Sequence, residues 1–115
     1  MKLGDLIAVN GVLYEYGGIE TNLHKVYVVD IDEEGNLIFT HNSWYLTDEE
    51  LSDRGIKLTQ IQQVGLVKHI LRQKYNLTEK EISDAAEDLV YHMFSLTRIP
   101  LVEELPMYIT FYMDR

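Results

Sequence analysis

The spacing of apolar and polar positions changes period near residue 61. Before it, apolar residues form short runs separated by turn residues. Leu3-Gly4-Asp5-Leu6-Ile7-Ala8-Val9 ends at Asn10-Gly11, a pair whose tolerance of positive φ makes it a strong hairpin signal. Val12-Leu13-Tyr14-Glu15-Tyr16 follows, and Gly17-Gly18 is expected to break it. His24 to Ile31 reads as the best strand, because its β-branched residues suit a pleated surface. Glu33-Glu34-Gly35-Asn36 predicts a turn, Leu37 to Thr40 the returning strand, His41-Asn42-Ser43 a loop, and Trp44-Tyr45-Leu46 one more short strand. Thr47-Asp48-Glu49-Glu50 is a capping box opening a short helix that Gly55 ends. Ile56 to Ile61 alternates and predicts a closing strand.

Beyond residue 61 the period is helical. Val64, Val67, Ile70, Leu71 and Tyr75 share one stripe, which predicts a helix over 62–75. Thr78-Glu79-Lys80-Glu81 is a second capping box. Ile82, Ala85, Ala86, Leu89, Val90, Met93 and Phe94 then keep the i, i+3, i+4, i+7 series, predicting a helix over 79–97 that stops before Pro100. Met107 to Met113 carries no charge and is apolar or aromatic at both odd and even positions, which reads as a strand covered on both sides.

These elements predict one α+β domain over 1–115, with 1–61 mostly β, two helices in 62–97 and a strand at 107–113. The opening Gly4-Asp5-apolar strand, and the short helix before the closing strand, resemble a small SH3-like β-barrel over residues 1–61. The resemblance implies a barrel or a strongly bent sheet packed against the C-terminal helical hairpin and a final strand. It is one of pattern, shared by many families, and implies no activity.

Charge narrows the function. The chain has 115 residues, with 10 Lys+Arg against 19 Asp+Glu, a net charge of −9. Residues 1–60 hold 4 basic and 11 acidic residues, and residues 61–115 hold 6 and 8, so the negative field belongs to the first half. Direct binding to nucleic acid or to an anionic membrane surface needs basic residues and is not expected. No apolar run approaches the ~18–20 residues of a membrane span. Cysteine is absent, which removes disulfides, thiolate metal sites and thiol nucleophiles and suits a cytoplasmic protein.

The motifs that suggest chemistry have simpler readings. Asp30-Ile31-Asp32-Glu33-Glu34-Gly35-Asn36-Leu37 resembles the start of a calcium loop. However, its twelfth position is His41, its fifth is the long Glu34, and its flanks read as strands, so a solvated hairpin turn is preferred. If Glu34-Gly35 is that turn, His24 faces Tyr45 and His41 faces Val28, so these histidines do not meet. His69 and His92 also lack the spacing of a helical zinc site, and all four histidines are expected at the surface. Lys68, His69 and Arg72 read as a solvated helix face. Ser43, Ser52, Ser83 and Ser95 sit in no nucleophile motif. Neither catalysis nor a cofactor is expected.

What remains is a binding surface. Asp48, Glu49, Glu50 and Asp53 form one acidic group and Asp32, Glu33 and Glu34 another; Trp44 and Tyr45 lie between them in sequence. Trp44 is expected to fill the barrel core, with the role of interface anchor as its alternative. The expectation is a monomeric, non-enzymatic, acidic module that binds a protein with a basic surface and inhibits or redirects a larger cytoplasmic machine. Short, acidic, cysteine-free phage proteins that modulate host enzymes have this composition. The alternative is an assembly protein that oligomerises, as a homodimer or larger, through the C-terminal strand.

Overall fold

The computed structural model describes residues 1–52, 58–93 and 102–114. The first half is a four-stranded antiparallel meander: β1 (Leu6–Val9), β2 (Val12–Glu20), β3 (Leu23–Ile31) and β4 (Leu37–Leu46), in spatial order β1-β2-β3-β4. Asn10 and Gly11 take φ of 50° and 81° and close a two-residue hairpin between Val9 and Val12, as expected. A second such turn stands at Thr21-Asn22, with φ of 54° and 66°.

Two expected breaks are bulges instead. Tyr16 pairs with Val26 and Ile19 with His24, so β2 runs through Gly17-Gly18 with one extra residue. A Cβ at Gly17 would lie 2.8 Å from the Tyr27 ring, which is why glycine stands there. Tyr27 pairs with Ser43 but Val29 with Phe39, so β4 holds two extra residues where a loop at His41–Ser43 was expected. Thr40 closes this bulge: its Oγ1 donates to the Val28 carbonyl at 2.6 Å and accepts the Asn42 N–H at 3.2 Å.

Four helices complete the described chain: α1 (Asp48–Leu51), α2 (Gln60–Lys74), α3 (Glu79–Met93) and α4 (Leu105–Met113), the last preceded by a 3-10 turn at Val102–Glu104. The capping boxes at Thr47/Glu50 and Thr78/Glu81 are both formed. A third, at Thr59/Gln62, starts α2 at Gln60. It overturns the closing strand expected over 56–61: Leu58 is buried, Thr59 is the cap, and Gln60 and Ile61 are helical, while 56 and 57 lie outside the described residues. The sheet therefore has four strands, with β1 and β4 as edges, and does not close into a barrel among the described residues.

The strand expected at 107–113 is also overturned, since that segment is helical. Pro106 lies in the first turn, where its fixed φ and missing N–H suit a helix start. Leu105 and Ile109, one turn apart, are fully buried, and Tyr108, Tyr112 and Met113 pack beside them. Met107 and Phe111 point away and are exposed. A continuous apolar run does not by itself separate strand from helix; the packing partners chose the 3.6 period.

Each face of the sheet carries a core. Ala8, Leu13 and Val29 pack with Leu66, Val67, Ile70 and Leu71 of α2, with Ile82, Ala86, Leu89 and Val90 of α3, and with Leu105 and Ile109 of α4. On the opposite face Ile7, Val9, Tyr14, Tyr16, Val26 and Leu46 form a second cluster closed by Leu51 of α1. This two-sided burial explains why β1 is apolar at every position. Gly65, in the middle of α2, sets how closely that helix meets the β3–β4 turn. A Cβ there would collide with the Gly35 carbonyl oxygen and lie 2.9 Å from Ile31 Cδ1.

Candidate functional site

Among the described residues β4 is an edge strand; its ten residues include no charged residue and no proline. Such edges are ordinarily blunted by charges, prolines or a covering element, because their free N–H and C=O groups invite pairing. The strand is exposed along nearly its whole length. Trp44, 59% exposed, pairs with Val26 and so shares the face that buries the second cluster; it is a surface residue and not the core residue expected. Trp44 borders a shallow cavity of about 270 Å³ with Val12, Tyr14, Glu49 and Glu50. Tyr45, paired with Lys25, faces the other side, where Lys25 Nζ sits 5.6 Å from the Tyr27 ring centre. The Tyr27 and Tyr45 phenols, with Glu20, hold the Lys25 ammonium above its usual range. Ile38 and Phe39 are also large apolar residues left exposed on this strand.

The acidic residues divide between the two ends of β4. At one end, Asp32 is a structural residue. Its carboxylate accepts the backbone N–H of Asn36 at 2.8 Å and of Glu34 at 2.9 Å, and the Asn36 amide at 3.3 Å. These hydrogen bonds, led by Asn36, hold its pKa below the ordinary carboxylate value. The segment is a hydrogen-bonded turn with Gly35 at φ 81°. Glu33 and Glu34 stand exposed on it.

At the other end, Asp48 opens α1 and bonds to His24 Nε2 at 2.5 Å, while His24 Nδ1 pairs with the Tyr16 hydroxyl at 2.8 Å. The line Tyr16–His24–Asp48 ties β2, β3 and α1 together. Glu50 is held in its capping box, and Glu49 is exposed. Asp53 lies outside the described residues. Because of its bulge β4 runs only from opposite His24 to opposite Ile31, seven steps of β3, so at about 3.3 Å each it separates the two acidic groups by roughly 23 Å. They are not one cluster; they flank the uncharged strand.

Two histidines differ from the surface role expected. The His24 side chain is only 12% exposed and is half-buried, held between Tyr16 and the exposed Asp48. His69 packs on Phe39, ring centres 5.2 Å apart, and burial with the neighbouring Arg72 lowers its pKa against the opposing pull of Glu15. It lines a cleft of about 480 Å³ between sheet and helices with Asp5, Glu15 and Glu103. Lys68 and Arg72 are not a free basic face either. Arg72 binds Glu79 through two nitrogens at 2.9 and 3.3 Å, and Lys68 Nζ reaches the Glu34 carbonyl at 3.5 Å. Among the described residues no group of three or more His, Asp or Glu is placed to hold a metal ion, and no helix is long and apolar enough to cross a membrane.

Sequence reasoning named Trp44, Tyr45 and the acidic residues but missed Ile38 and Phe39 and misjudged the burial of Trp44. The uncharged run from Leu37 to Leu46 was the available signal. Reading it as two strands and a loop concealed that it is one edge. Comparison with family models, with curated proteins and with solved structures finds no match to this chain.

Proposed function

We propose that this chain is a non-enzymatic protein-binding module that docks a partner with a basic surface and thereby inhibits or redirects it. One observation carries the reading: Ile38, Phe39, Trp44 and Tyr45 are exposed on one uncharged strand flanked by acidic segments. Exposed aromatics of this size are the common anchors of interfaces. Carboxylates at the rim speed association with a basic surface and disfavour an acidic one. A cysteine-free chain suits a cytoplasmic partner. The assembly alternative rested on a C-terminal strand, and that segment is a helix.

The test is quantitative capture from a cell lysate at low and high salt. It compares the native chain with Trp44→Ala/Tyr45→Ala and with Asp48→Lys/Glu49→Lys. Both variants are expected to lose the same captured proteins, and those proteins should elute from the native chain as salt rises. Captured proteins retained equally by all three chains would refute the reading.

A further inference from the structure

Resting on that reading, we infer that the partner is recognised by strand addition: an extended segment with an apolar or β-branched middle and basic residues at both ends pairs along β4. Three features of the strand support this mode. Its outer edge has no pairing partner among the described residues, so its main-chain groups can extend the sheet. It carries no charge or proline to prevent pairing. Its exposed side chains fall on both faces, Trp44 with Val26 on one and Phe39 with Val29 on the other, as an added strand with alternating side chains requires.

Charge decides between occupants. Glu33 and Glu34 stand at the Leu37 end of β4, and Asp48, Glu49 and Glu50 follow its Leu46 end. If a second copy paired antiparallel about a two-fold axis, the acidic turn of each copy would face the acidic α1 of the other, setting like charges together at both ends. A segment with Lys or Arg at both ends, roughly 23 Å apart when extended, meets opposite charges instead. The bulge held by Thr40 divides the edge into Leu37–Phe39 and Ser43–Leu46. It bends the strand away from flat stacking, so the occupant must follow the same bend and indiscriminate pairing is discouraged.

The probe is a displayed library of random peptides about a dozen residues long, enough to span the strand. Enriched peptides are expected to carry Lys or Arg near both ends with β-forming residues between. The best of them should protect β4 amides from hydrogen exchange and change Trp44 fluorescence. N-methylation at alternate residues, which removes the N–H groups of one peptide edge, should weaken binding about tenfold or more on one of the two edges, as should exchanging the basic ends for glutamate.

Several results overturn the inference: enriched peptides that bind as helices, binding indifferent to N-methylation on either edge, or exchange protection away from β4. A dimer in light scattering with β4 protected also overturns it, in favour of a second copy. If no peptide is enriched while salt-sensitive capture from lysate persists, strand addition fails and the binding reading stands. If capture fails too, both fall.

Discussion

Ile109 and Phe111 separate the two structures that residues 107–113 allow. In a strand these side chains share a face, and truncating either would cost about the same. In α4 they do not: Ile109 is fully buried in the core cluster it shares with α2, whereas Phe111 is 72% exposed. Ile109→Ala removes three carbons from a dry core, worth about 0.8 kcal/mol each or roughly 2.4 kcal/mol in transfer alone. The residual cavity brings the expected cost to about 3–4 kcal/mol. For a domain of this size that lowers Tm by roughly 10–20 °C. Phe111→Ala should stay within about 0.5 kcal/mol, because the ring it removes is already in water. Urea and thermal unfolding followed by circular dichroism at the helical band measure both. Equal losses for the two variants, or a larger loss for Phe111→Ala, would refute the helical assignment and restore a strand with both faces covered.

Other outcomes follow from particular contacts. Gly65→Ala should destabilise by about 1–3 kcal/mol despite the better helix propensity of alanine, because the new Cβ meets the Gly35 carbonyl; an unchanged or raised unfolding midpoint would show that the turn shifts freely. Tyr16→Phe should cost about 1 kcal/mol by removing the hydroxyl from half-buried His24, and a neutral result would mean that water replaces it. Acidification should weaken the fold in two windows. His69 is lowered in the folded state, so the unfolded imidazole protonates first and its contribution is lost as pH falls below the ordinary value of 6.5. Asp32 is likewise depressed, and its contribution is lost as pH falls below 3.8. His69→Gln should flatten the first window in urea titrations and leave the second; a slope that persists in the first would assign it elsewhere. Leu89→Ala should cost about 2–5 kcal/mol and Glu87→Ala within about 0.5 kcal/mol, since α3 buries the first and exposes the second.

Local chemistry determined what local interactions can decide. Asn10-Gly11 specified its hairpin because few other pairs accept positive φ at both positions. Thr47 and Thr78 specified helix starts because each cap satisfies N–H groups within a few residues. α3 was legible along its described length because one face is apolar and the other acidic, so the period is unambiguous. The acidic residues and Trp44-Tyr45 were legible as residues, and their types alone marked them as interface candidates.

Tertiary structure decided the rest wherever a segment was uniform. Met107 to Met113 is apolar throughout, so nothing local distinguishes period 2 from 3.6; the contacts of Leu105 and Ile109 settled it. Ile56 to Ile61 alternates, but Thr59 and Gln62 could cap a helix, and α2 had a core to pack on. Trp44 is apolar and sits on a strand, yet whether a strand is central or at an edge depends on how many neighbours it finds. That count is a property of the whole sheet. The same fact turned two acidic clusters and an aromatic pair, adjacent only in sequence, into the two ends and the middle of one exposed edge.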